Sequence, residues 1–169
     1  MDANKNLFFI GFMGCGKSTM ARIISEKTGA VLIEMDETIE SQAGLSINEI
    51  FEKYGEQYFR DLESQLIEQI TQSGGAIVSC GGGAILRAEN VANMKKNGKV
   101  IYFSATPETI FERVRFSTNR PLLNGNMNVE YIAELMEKRL PLYEAAADII
   151  ICVDGKNKQE VVEELMQIY

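Results

Sequence analysis

The 169-residue sequence contains no histidine. That removes the side chain that titrates near neutral pH, a common metal ligand, and every Ser-His or Cys-His nucleophile pair. Proton transfer falls to Asp, Glu, Lys, Tyr or Cys. Cysteine is scarce too: Cys15, Cys80 and Cys152 are scattered, with no Cys-x-x-Cys spacing. An odd number without a framework argues against a disulfide scaffold and a zinc site, and for free thiols, buried or beside backbone, in a reducing compartment. No apolar run approaches the roughly 18–20 residues that span a bilayer. The start, Met-Asp-Ala-Asn-Lys-Asn, lacks the long apolar segment of a secretory signal. A cytoplasmic protein is expected. Positive charge is in deficit, 17 Lys and Arg against 24 Asp and Glu, for a net −7. The surface as a whole therefore suits neither nucleic acid nor an anionic membrane. No Pro/Gly/Ser linker and no repeat divides the chain, so one domain over residues 1–169 is expected, as a monomer.

What is present alternates. Leu7–Ile10, Val31–Glu34, Ala76–Ser79, Val100–Phe103 and Ile149–Val153 are nearly continuous apolar runs, as in parallel strands covered on both faces. Between them lie helical patterns. One covers Gly16–Lys27 and stops at Gly29, a glycine cap. A second runs from Ser46, with Glu49 completing a capping box, to about Gln72, and Gly55 interrupts its apolar stripe. Pro107 suits the first turn of a helix reaching about Phe116. Val129 to about Ala146 reads as one helical stretch kinked at Pro141, and Lys158–Ile168 closes the chain. The alternation predicts a doubly wound α/β fold with a five-stranded parallel sheet. Ligands in such sheets sit at the carboxyl ends of the strands.

The residues at those ends carry the chemistry. Gly11-Phe12-Met13-Gly14-Cys15-Gly16-Lys17-Ser18 matches GxxxxGK[ST] between a strand and a helix, the context of a nucleotide-triphosphate loop. Gly11, Gly14 and Gly16 let amide groups approach phosphate oxygens. Lys17 suits the β/γ-phosphates and Ser18 suits Mg²⁺. After the second strand stand Glu34 and Asp36. Read as extended chain, they point to one side, one for the metal and one to accept a hydroxyl proton. Gly81, Gly82 and Gly83 follow the third strand, where a backbone must come close to a ligand. Arg60 and Arg139 are cations of the type that grips a carboxylate. Arg120 lies in Phe116–Asn128, a polar segment that reads as a mobile lid bringing charge to a transferring phosphoryl group.

Taken in order, GFMGCGKST, EMD with Ile39-Glu40, IFEKYGEQYFRDLE (Ile50–Glu63), SCGGGAI, NRPLL and KRLPLYEAAAD (Lys138–Asp148) resemble the shikimate kinase family, among the nucleoside-monophosphate-kinase-like enzymes with a phosphate loop. The resemblance implies ATP and Mg²⁺ as cofactors and shikimate as the acceptor. It places nucleotide contacts on Gly11, Gly14, Cys15, Gly16, Lys17, Ser18, Thr19, Arg113 and Arg120, with Arg113 stacking on adenine. It implies Asp36 as the base at the substrate hydroxyl. Arg60 and Arg139 become the pair at the shikimate carboxylate, Glu63 the acid that orients the substrate arginine, and Gly81–Gly83 a backbone wall. The acceptor segment is about 37–63 and the lid about 116–128. The sequence departs from the family pattern at Glu34, often Asp, and at Asp154-Gly155-Lys156-Asn157-Lys158, which lacks an Arg-x-Pro adenine loop. Gluconate or nucleoside-monophosphate kinases, and a non-catalytic nucleotide-binding domain, are the alternatives.

Overall fold

The computed structural model describes residues 5–115 and 128–169. Among these residues, β1 (Asn6–Ile10), β2 (Val31–Glu34), β3 (Ala76–Ser79), β4 (Gly98–Ser104) and β5 (Ile149–Cys152) form one sheet in the order β2-β3-β1-β4-β5. Every pairing is parallel. Leu7, Phe8, Phe9 and Ile10 of the central strand are at most 1% exposed, which is why no polar alternation marks it. The two edge strands do open to solvent, at Val31 and Ile150. The doubly wound α/β architecture expected from the strand–helix alternation is the one observed.

Helix α1 (Lys17–Thr28) packs with α8 (Lys158–Ile168) on one face. Helices α3 (Ile47–Ile70), α4 (Ala88–Asn97) and α7 (Leu140–Ala146) gather on the other, α4 and α7 directly against β4. The chain enters α1 through Gly16 (φ 103°) and leaves through Gly29 (φ 73°), both left-handed, so the expected glycine cap is present. The capping box also forms: the Glu49 amide donates to Ser46 Oγ, and the Ser46 amide donates to Glu49 Oε2 at 2.8 Å. Gly55 breaks the interior of α3 with φ 81° and ψ 170°, so the interrupted stripe corresponds to a real bend.

Several element boundaries differ from those expected. Val129–Ala146 is not one kinked helix but two, α6 (Val129–Glu137) and α7. The break falls before Pro141, which sits in the first turn of α7, where a missing amide hydrogen costs nothing. Two helices escaped the sequence reading, α2 (Met35–Ala43) and α4. Each is about ten residues long with few apolar positions, only Met35 and Ile39 being buried in α2. Helix α5 (Pro107–Val114) stops short of Phe116, and β5 ends at Cys152.

The amino end of the sheet is closed by two asparagines. Asn6, fully buried, donates to the carbonyls of Ile70 and Ser73 and accepts from the Ala76 amide at 2.9 Å. Asn97 donates to the carbonyls of Thr71 and Ser73. Its neighbour Gly98 lies so close to β1 that a Cβ would stand 2.5 Å from the Asn6 carbonyl oxygen. Among the described residues no helix is long and apolar enough to cross a membrane.

Candidate active site

The loop between β1 and α1 is built from glycine torsions. Gly11, Gly14 and Gly16 all have positive φ, at 144°, 79° and 103°. A Cβ at Gly11 would stand 2.7 Å from the Phe103 carbonyl oxygen, and one at Gly14 2.5 Å from Val114 Cγ1. The loop is therefore pressed between β4 and α5 and leads directly into the start of α1, that helix's positive dipole end. Lys17 is 8% exposed, and its ammonium donates to the carbonyls of Gly11 at 2.8 Å and Phe12 at 3.1 Å. From α5, Arg113 donates to the Cys15 carbonyl at 2.9 Å, tying α5 to the loop. Thr19 is exposed on the first turn of α1.

Ser18 Oγ lies 3.1 Å from Ser79 Oγ, at the end of β3. Ser79 is the register partner of Glu34 on β2, so hydroxyl, hydroxyl and carboxylate follow one another across three elements. Glu34 Oε1 is buried and has no hydrogen-bond partner among the described residues. A buried carboxylate oxygen without a donor is costly. Beside two hydroxyls it fits a hard cation with oxygen ligands. The donor set is thus compatible with Mg²⁺ at Ser18 and Glu34.

Asp36 is not on extended chain. β2 ends at Glu34, and Asp36 is in the first turn of α2. The two carboxylates share the strand end, but helix geometry rather than strand alternation sets their directions. A carboxylate in a first turn is favoured by the helix dipole. Asp36 still reaches the glycine triplet, because a Cβ on Gly81 would stand 2.8 Å from both Asp36 Oδ1 and Glu63 Oε1.

The same loop meets the arginines. A Cβ on Gly83 would fall 2.2 Å from Arg60 Nη1, and one on Gly82 would lie 3.7 Å from both Arg139 Nη1 and the Gly11 carbonyl oxygen. One three-glycine turn therefore touches the phosphate loop, both arginines and both acids. At Gly81 and Gly83 an added side chain would push these charged groups away, whereas at Gly82 it would meet its neighbours at ordinary contact distance. Arg60 donates to Glu63 Oε2 at 2.6 Å and to Glu56 Oε1 through Nη2 at 2.8 Å and Nε at 3.2 Å. Three of its five donors are engaged and two are left for a ligand.

Burial pushes the Glu63 carboxyl above its ordinary range. Arg60 opposes that shift, and the neighbouring Asp36 charge adds to it. At Arg60 burial works against the charge, but Glu63 and Glu56 outweigh it and the guanidinium is held more firmly charged. The Cys80 thiol is pushed up by burial; Lys17 draws it down, while Glu63, Asp36 and Glu34 push it further up. It is no base at neutral pH. Burial likewise raises the Tyr143 phenol, against the pull of Arg139. Tyr143 therefore stays a donor, and its hydroxyl gives a 2.6 Å bond to the Gly82 carbonyl.

The structure thus brings together the residues picked at the strand ends, Arg120 excepted, which with the lid segment 116–127 lies outside the described residues. The sequence reading missed Ser79, Tyr143 and Arg87. Tyr143 stands in the KRLPLYEAAAD run, four residues after Arg139, and that spacing is the signal that could have found it. Ser79 and Arg87 carry no local signal, since only the tertiary fold brings them to their partners. Of the three thiols, Cys15 and Cys80 are buried, whereas Cys152 is exposed.

A family model described as shikimate kinase matches residues 13–169. The chain belongs to the shikimate kinase family. A curated shikimate kinase from Thermodesulfovibrio yellowstonii is 42% identical over 165 residues, 98% of this chain and 95% of the relative. Among solved structures, "Shikimate kinase from Acinetobacter baumannii in complex with shikimate" superposes with a TM-score of 0.90 at 31% identity, covering 98% of this chain and 92% of that one. The shikimate kinase of Aquifex aeolicus gives 0.81 at 34% identity, covering 96% and 94%. Shikimate kinases are enzymes, so the cleft at the carboxyl ends of β1, β2 and β3 is the place to look for the reacting groups of this one.

Proposed function

We propose that this chain transfers the γ-phosphoryl group of ATP to the 3-hydroxyl of shikimate, giving shikimate 3-phosphate and ADP. One observation carries the reading: the glycine turn Gly81–Gly83 adjoins the phosphate loop on one side and Asp36, Glu63, Arg60 and Arg139 on the other. A triphosphate and a hydroxy acid then meet across a single backbone turn. Arg60 and Arg139 hold the acceptor carboxylate, and Glu63 fixes the direction of Arg60. Asp36 accepts the hydroxyl proton. The hydroxyl oxygen bonds to the γ-phosphorus as the bond to the β,γ-bridging oxygen breaks, and ADP departs with that electron pair. Lys17 and the loop amides offset the negative charge on the transferring group. Ser18 and Glu34 would hold Mg²⁺, which supplies further positive charge at the phosphates. Arg113 would stack on the adenine. For Arg120 and the lid the assignment rests on the sequence alone, on its polar segment and on the resemblance.

The acceptor segment 37–63, a monomeric state and a cytoplasmic location belong to the same reading. A coupled ADP-release assay tests it, run with shikimate, gluconate and nucleoside monophosphates, with EDTA and Mg²⁺ re-addition as the metal arm. Turnover with shikimate alone, abolished by EDTA and restored by Mg²⁺, is expected. Turnover with a nucleotide acceptor and none with shikimate would defeat the assignment.

A further inference from the structure

Arg87 stands four residues beyond Gly83, just after the 3-10 turn Ala84–Leu86 and at the entry to α4. Its guanidinium does not enter the cleft. Nη1 donates to the Arg60 carbonyl at 3.2 Å and to Ser64 Oγ at 3.0 Å. Nη2 pairs with Asp61 Oδ1 at 2.6 Å. All three partners lie within the one turn of α3 that carries Arg60. The side chain of Arg87 is 22% exposed, so these contacts are partly shielded from water.

The glycine turn and the start of α4 thus hold Arg60 at two points. Gly83 abuts its guanidinium, and Arg87 grips its backbone. Together they fix the distance between the backbone wall and the cation. We infer that Arg87 is a positioning residue for acceptor binding: it holds the Arg60 turn of α3 against the glycine turn and so sets the spacing in which an anionic hydroxy acid is gripped. The inference rests on the reading that Arg60 binds the acceptor carboxylate. A charge-assisted fork is sensitive to spacing, and a shift on the order of 1 Å can cost up to about 100-fold. Partial loosening of one turn should cost about tenfold.

The test is steady-state kinetics on Arg87→Met, Arg87→Lys, Arg60→Ala and the Arg60→Ala/Arg87→Met double variant. Arg87→Met should raise the shikimate KM roughly tenfold, with kcat and the ATP KM within about twofold of wild type. Arg87→Lys, which keeps the charge but loses the fork, should fall between them. The double variant should be no worse than Arg60→Ala alone, because the two residues act through one contact. A purely structural role would instead lower the melting temperature and leave the shikimate KM alone. If Arg87→Met does not fold, Asp61→Asn decides, with a smaller shift of the same sign. An unchanged shikimate KM, a parallel rise in both KM values, or additive losses in the double variant overturns the inference. If Arg60→Ala also leaves the shikimate KM unchanged, the carboxylate reading beneath it falls as well.

Discussion

Gly83→Ala separates folding from binding. The backbone at Gly83, φ −100° and ψ 0°, has the negative φ that alanine adopts, so no left-handed strain opposes the substitution. The added methyl also removes freedom from the unfolded chain, which favours folding by about 0.4–1 kcal/mol. Against this, its carbon would lie 2.2 Å from Arg60 Nη1 and 2.5 Å from Cζ. Ordinary contact needs about 3.5 Å, so the guanidinium must retreat by more than about 1 Å. It can do so, being the far end of a flexible side chain. The retreat gives up the 2.6 Å bond to Glu63 Oε2, worth about 1.5–3 kcal/mol as a charge-assisted bond. Among the described residues Glu63 Oε1 has no hydrogen-bond partner, so the carboxylate has no second donor to fall back on. The balance is a destabilisation of about 1–2 kcal/mol. Binding suffers more. Losing a similar charge-assisted contact to the acceptor carboxylate should raise the shikimate KM about 10- to 100-fold, with the ATP KM unmoved. ADP-release kinetics with each substrate varied, beside a calorimetric melt, give both numbers. In an Arg60→Ala background the same substitution should cost no stability, since the group it strikes is gone. A shikimate KM within about twofold of wild type would refute the reasoning.

Lys17→Ala should lower kcat by about 100-fold or more with the fold intact by circular dichroism, since a positioned charge on the transferring group is lost; a loss below about tenfold would assign Lys17 to the loop structure alone. Asp36→Asn should lower kcat with little change in either KM. Near-normal turnover in single-turnover assays would remove it as the proton acceptor. Glu63→Gln tests the buried acid by its pH signature. Because burial raises the folded-state pKa of Glu63 above its ordinary 4.5, the acid's contribution to stability is full below that pH and is lost as pH rises through the folded value. The penalty of Glu63→Gln in denaturant melts should therefore shrink as pH rises from about 4 toward neutrality. A penalty that grows with pH would contradict the burial argument.

The parts of this molecule legible in its sequence are those with local causes. Leu7–Ile10, Ala76–Ser79 and Val100–Phe103 show nearly continuous apolar character because these three inner strands are covered on both faces. The phosphate loop was legible because its spacing is forced by the close approach of backbone to phosphate. The Ser46–Glu49 box and the Gly55 break were also visible, each following from one residue's torsion or hydrogen bond. What failed was short or non-local. Helices α2 and α4 have too few buried positions to show a stripe, and missing α2 put Asp36 on the wrong kind of backbone. The grip of Arg87 on Arg60, 27 residues earlier, leaves no trace in either neighbourhood. Pro141 suits a kink and a helix start equally from its neighbours in sequence, and only the fold places it in the first turn of α7.

The closure at the amino end of the sheet also bears on chemical ageing. Asn-Gly is the dipeptide most prone to spontaneous deamidation, and Asn residues are among the thermolabile ones. Here Asn97-Gly98 is held in place from both sides. Gly98 cannot gain a side chain without striking β1, and Asn97 needs its amide hydrogens for the carbonyls of Thr71 and Ser73. Conversion of that amide to a carboxylate would set negative charge against two carbonyl oxygens. Deamidation of Asn97 would thus weaken the fold at the end of the sheet opposite the phosphate loop, and a fraction carrying the mass gain of about one dalton at this dipeptide should melt at a lower temperature than intact protein.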